Sequence, residues 1–115
     1  MLIIGRSVKM NTVNLVQGDT GPDIKIAISR ANGEDLSMIG AAVSLYIRLR
    51  RSENILLTKV GFVNSSDNTV TFTFQSGDLD LAPGEYIGEV EVVFSDNQRE
   101  TIYDLIIINL RQDFA

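Results

Sequence analysis

From residue 11 onward, apolar side chains recur at every second position, the period of strands that bury one face and wet the other. Val13 and Leu15 alternate with Thr12 and Asn14; Ile24, Ile26 and Ile28 alternate with Lys25, Ala27 and Ser29. Val43, Leu45, Ile47 and Leu49 alternate with Ser44, Tyr46, Arg48 and Arg50, the cleanest such run in the chain. Val70, Phe72 and Phe74 alternate with threonines at 69, 71 and 73, residue types that suit a pleated, half-buried surface. Tyr86, Gly88, Val90, Val92 and Phe94 make a further inward row beside Glu85, Ile87, Glu89, Glu91 and Val93. Helical spacing is nearly absent, so the chain is expected to be all-β, each sheet needing another to cover its apolar side.

Between these runs stand residues that reverse the chain. Gly18-Asp19-Thr20-Gly21-Pro22 stops one strand, and Asn32-Gly33 stops the next because both residues accept positive φ. Asn64-Ser65-Ser66-Asp67-Asn68 and Ser95-Asp96-Asn97-Gln98 read as tight polar turns. In residues 77–86, Asp78 and Asp80 are expected to cap one short helical turn that Pro83-Gly84 ends. The same stretch, Leu79-x-Leu81-x-Pro83-Gly84-x-Tyr86, has the arrangement of a tyrosine corner leading into a late strand. Residues 55–63 read as one strand with Leu56, Thr58, Val60 and Phe62 on one face and Ile55, Leu57 and Lys59 on the other. The last strand is read over residues 100–110. About seven strands at intervals near 8–12 residues point to an immunoglobulin-like Greek-key β-sandwich. Residues 1–10 are expected to form an N-terminal arm, 11–110 the sandwich and 111–115 a C-terminal tail.

A chain of 115 residues suits one domain with a core that needs no staple, and this one has no Cys to make one. It also has no His and no Trp. Zinc sites of the Cys/His kind, thiol redox chemistry and histidine general bases are thereby excluded, and no cofactor is implied. A net charge of −5 repels a phosphate backbone, so nucleic acid is not an expected partner. The apolar start Met1-Leu2-Ile3-Ile4 is broken at Gly5, and no stretch approaches the ~20 residues of a membrane span, so no membrane partner is expected and the chain reads as soluble.

Carboxylates are the remaining acid and base candidates, and such chemistry needs two of them with pKa values pushed apart. Glu85, Glu89 and Glu91 share one face of a strand, where a row of acids reads as a solvated surface. Asp19, Asp23, Glu34, Asp67, Asp78, Asp80 and Asp96 sit in turns that suit Asp on conformational grounds, without the spacing of a calcium loop. No catalytic or metal-binding residue is therefore assigned. Arg48, Arg50 and Arg51 with Tyr46 form the basic cluster, which reads as an interaction patch or as cross-strand partners of the Glu row. Residues 105–108 are apolar on both faces, and something must cover the second: the arm at Leu2, Ile3 and Ile4, or another subunit.

Taken in order, Gly18-Asp19-Thr20-Gly21-Pro22-Asp23-Ile24, Asn32-Gly33-Glu34-Asp35-Leu36 with Ile39-Gly40-Ala41, Gly77-Asp78-Leu79, Pro83-Gly84-Glu85-Tyr86 with Glu89, and Phe94-Ser95-Asp96-Asn97 before Glu100-Thr101 resemble the N-terminal domain of phage baseplate upper proteins. The similarity runs from about residue 14 to 110. It implies an immunoglobulin-like module of a virion, made in the host cytoplasm, that docks tail or baseplate components onto their neighbours and has no enzymatic activity. In that family the module opens a longer protein, so a chain of this length looks like an adaptor or decoration subunit.

The expected function is therefore assembly in the tail, baseplate or fibre-attachment region of a tailed phage, with other virion proteins or further copies of the chain as partners. Interface candidates are Leu2, Ile3, Ile4, Tyr46, Arg48, Arg50, Tyr103, Ile106 and Ile108. Removal of residues 1–9 is expected to leave the domain folded and to weaken assembly. The alternatives are a capsid decoration or head-fibre protein, and a carbohydrate-binding or adhesin-like module using Tyr46, Tyr103 and Phe114.

Overall fold

The alternating runs of the sequence form the strands of a two-sheet sandwich in the computed structural model, which describes residues 2–4, 11–29, 36–102 and 105–114. In chain order the strands are β1 (Leu2–Ile4), β2 (Asn11–Val16), β3 (Asp23–Ile28), β4 (Ala42–Leu49), β5 (Ile55–Val60), β6 (Phe62–Asn64), β7 (Thr69–Thr73), β8 (Gly84–Val93), β9 (Arg99–Thr101) and β10 (Ile106–Arg111). One sheet has the order β1-β3-β7-β6; the other runs β2-β10-β8-β4-β5, with β9 paired to β8. The protein is all-β, and no helix occurs among the described residues.

The core is the sum of the alternating sets. Ile24, Ile26 and Ile28 of β3 and Val70 and Phe72 of β7 line one wall. Val43, Leu45 and Ile47 of β4, Tyr86, Val90 and Val92 of β8, and Ile106, Ile108 and Leu110 of β10 line the other. Leu49 ends the β4 row but is 42% exposed, because it stands at the mouth of the β4–β5 hairpin. The Tyr86 hydroxyl donates to the carbonyl of Ala82, four residues upstream, so the expected tyrosine corner forms. The turn at residues 95–98 closes the β8–β9 hairpin, with Asn97 at φ 67° and the Phe94 N–H donating to the Gln98 carbonyl.

Four expectations change. Residues 55–63 are two strands in different sheets, divided at Gly61. A Cβ at Gly61 would lie 2.2 Å from Val70 Cγ1 and 2.9 Å from Phe72 Cε1, so the backbone crosses where no side chain fits. Residues 77–86 hold no helical turn but two reverse turns, in which the Asp78 N–H donates to the Gln75 carbonyl and the Asp80 N–H to the Gly77 carbonyl. The last strand is interrupted: between Thr101 opposite Glu91 and Ile106 opposite Gly88, five residues advance against three. These divisions, with β1, raise the strand number from about seven to ten among the described residues.

The fourth change concerns the chain start. Leu2–Ile4 is an edge strand, paired in parallel with β3 from Leu2 opposite Ile26 to Ile4 opposite Ile28, and so belongs to the sheet opposite β10. It does not cover the outer face of the last strand. That face is made by Ile107, half-buried beside Ile87, which is itself 6% exposed although it points away from the core. The doubly apolar run at residues 105–108 is thus accommodated by a small apolar spot within one sheet. The Asn32-Gly33 turn lies outside the described residues.

Candidate functional site

The outer face of the six-stranded sheet carries the charged and aromatic residues singled out from the sequence. Pairing of β4 with β8 sets Ser44 opposite Glu91, Tyr46 opposite Glu89 and Arg48 opposite Ile87. The half-buried Tyr46 reaches Glu91 Oε1 with its hydroxyl at 3.4 Å, and Arg99 Nη1 lies 3.9 Å from the same oxygen. Arg48 Nη1 donates to the Ser52 carbonyl at 2.7 Å, so its guanidinium ties down the loop between β4 and β5. Arg50 forms an ion pair with Glu85, and its N–H donates to the Glu85 carbonyl. Of the two readings of the basic cluster, the geometry favours cross-strand pairing with the Glu row.

Two shallow concavities open on this side. One, of about 470 Å³, is lined by Tyr46, Arg48, Glu53, Ile55, Glu89 and Glu91; the other, of about 490 Å³, by Leu49, Arg50, Arg51, Ser52 and Glu85. Neither joins a nucleophile to a general base. The carboxylates with displaced pKa values lie elsewhere and are shifted the wrong way for a general acid. Asp78 is held below the usual carboxylate range by the Gln75 N–H and by Lys59, and Asp67 by the Thr69 hydroxyl. Among the described residues no group of three or more Asp or Glu side chains gathers to hold a metal ion.

The edge of this sheet has a different character. β5 is its last strand, and its one charged group is hidden: Lys59 turns inward and its Nζ lies 2.7 Å from Asp78 Oδ2, the two side chains being 13% and 18% exposed. The apolar residues are outside. Ile55, Leu56, Val60 and, at the start of β6, Phe62 are 56%, 47%, 74% and 75% exposed. A register shift opposite Ile47 and Arg48 leaves Leu56 unpaired and lets Ile55 join Arg48 and Tyr46 around the first concavity. Ile55 therefore departs from the face it was expected to share with Leu57 and Lys59. An edge strand that shows apolar side chains and no charge is a template for pairing with another chain.

No protein-family model matches the chain, and no curated protein does. Among solved structures, the chain is similar to CopC from Methylosinus trichosporium OB3b. The identity is 12% and the TM-score 0.48, over 92% of this chain and 89% of that one.

The interface candidates read from sequence are scattered by the fold. Ile106 and Ile108 are 0% and 2% exposed in the core, and that burial removes them as contact residues. Leu2, Ile3 and Ile4 pair by their backbone with β3, on the sheet opposite the Tyr46 face. Tyr103 lies outside the described residues. Phe114, named for sugar stacking, is 88% exposed, with the Arg111 guanidinium 4.8 Å from its ring centroid. The residues that the sequence reading missed are Leu56, Val60 and Phe62. Their signal was present as the apolar character of both faces of residues 55–63, a pattern that leaves one apolar face uncovered in an edge strand.

Proposed function

We propose that this protein is a structural component of a tailed-phage virion, a β-sandwich module that works by protein–protein assembly in the tail, baseplate or fibre-attachment region. The observation that carries the assembly part is the open β5 edge, with Leu56, Val60 and Phe62 exposed beside it. An open strand edge with exposed apolar side chains gains free energy when another chain covers it, through buried area and through main-chain hydrogen bonds. The virion part rests on the order of the turn motifs that resemble baseplate upper proteins. The charged outer face supports the same reading, because Arg48 and Arg50 are engaged by Ser52 and Glu85 within the domain. Each is thereby tied to the domain through its Nη1.

Immunogold labelling of particles from the source lysate, with antibody to this chain, tests the proposal. Gold at the tail tip is the expected result. Gold over the head would move the protein to capsid decoration or a head fibre, and chain free in the lysate with no labelled particle would overturn the structural reading.

A further inference from the structure

We infer that the partner of the β5 edge is a second copy of this chain, paired antiparallel to β5 about a twofold axis through Thr58; this deepens the assembly reading and rests on the same edge. The first argument is the direction of the free backbone groups. In the β4–β5 ladder the Gly61 N–H donates to the Val43 carbonyl, in register with Ser44 opposite Val60 and Tyr46 opposite Thr58. Backbone groups alternate along an antiparallel strand, so those of residues 57, 59 and 61 face β4 and those of Thr58 and Val60 face outward. An axis normal to the sheet at Thr58 sets Thr58 opposite the partner's Thr58, both with free N–H and C=O, and keeps the outer faces of the two sheets on one side. Leu56 then stands opposite the partner's Val60. An axis at Val60 would overlap little, since the chain leaves the sheet at Gly61.

The second argument is charge. A twofold axis brings the same strand edge against itself, so an edge that carries charge of one sign repels itself. β5 holds one charged residue, Lys59, and Asp78 neutralises it on the inner side. The other edges fit less well: β1 and β6 are three residues long, and β9 presents Arg99, Glu100 and Thr101, all exposed. β2 is six residues long, but its exposed outer positions are Thr12 and Asn14, and Asn14 is bound to Asn109. Pairing there would bury little apolar surface. A contact of one strand per copy is smaller than the roughly 1,000 Å² of a stable interface, so the dimer is expected to be weak and to form at high local concentration.

The test uses the full chain, which has no cysteine. In Thr58→Cys the two thiols meet on the axis, because directly opposed, hydrogen-bonded residues place their Cα atoms about 5.5 Å apart. Treatment with a short bis-methanethiosulfonate is expected to give a covalent dimer. Val60→Cys, offset from its copy by four residues or about 13 Å, and Thr73→Cys on the other sheet are expected to stay monomeric. Sedimentation velocity across a concentration series supplies the second measurement. Leu56→Glu and Val60→Lys alone are each expected to weaken the dimer about tenfold, since each change counts twice. Together they restore it, each Glu facing a Lys of the partner subunit. A monomer at every concentration, or a double variant as weak as the singles, would overturn the twofold pairing. Labelled virions with a monomeric chain would leave the assembly reading standing without the dimer; a dimer without labelled virions would do the reverse.

Discussion

Gly61 shows how much one missing side chain decides. The backbone there passes so close to Val70 and Phe72 that a methyl group would overlap both, and both are fully buried. Gly61→Ala is expected to cost about 1–3 kcal/mol by overpacking, read as a lower urea midpoint with an unchanged m-value. The Lys59–Asp78 pair makes a different prediction. Because the Asp78 pKa is lowered in the folded state, its contribution is fully present above the unfolded carboxylate value near 4 and is lost as pH falls through the folded one. Stability of the parent chain should therefore drop more steeply below about pH 4 than that of Asp78→Asn, in thermal melts across the acid range. At Tyr86, loss of the hydroxyl that donates to Ala82 in Tyr86→Phe should cost about 1 kcal/mol, because it leaves that carbonyl without its partner. Tyr86 was legible because the corner is a local motif; the role of Gly61 was not, because Val70 and Phe72 come from a later strand.

At the level of elements, the strands that lie between two neighbours were the easiest to read. β4 has β8 on one side and β5 on the other, and its buried residues Val43, Leu45 and Ile47 are the ones its alternation marks. Leu45→Ala is expected to cost about 2–5 kcal/mol, measured by equilibrium denaturation. Edge elements follow weaker rules, since only one neighbour fixes their register. In β5 the pattern supplied two apolar faces, and the bulge at Leu56 then moved Ile55 from one to the other. The substitutions Val60→Ser and Phe62→Ser should leave stability within about 0.5 kcal/mol, because both side chains are already exposed in the folded state. Melting at low protein concentration checks this, and a large loss would mean that the ridge holds the fold together rather than serving a contact.

Over the whole molecule, the chain start changes its meaning. As a free arm, residues 1–9 would be dispensable for folding; but Leu2–Ile4, as β1, complete the four-stranded sheet beside Ile26, Ala27 and Ile28. Their removal is expected to cost about 1–3 kcal/mol from lost strand pairing and to open the β3 edge to aggregation. Thermal melts and light scattering of the truncated chain would show both effects, whereas an unchanged melting temperature would return these residues to the status of an arm.

The division between sequence and tertiary structure follows from the range of the forces involved. Alternation and turn chemistry act over two to five residues, so the sequence by itself determined strands β2, β3, β4, β7 and β8, the turns at Gly18, Asn68 and Asn97, their inward rows and the all-β class. The absence of His and Cys likewise narrowed the chemistry before any fold was known. Which strands ended at a sheet edge depended on contacts between residues far apart in the chain. Only the tertiary structure could therefore decide that Ile106 and Ile108 are core, that Arg48 and Arg50 are engaged within the domain, and that Leu56, Val60 and Phe62 are left at the surface. An apolar residue looks the same in sequence whether its neighbour is a facing sheet or water, and that neighbour is chosen by the packing of the whole chain.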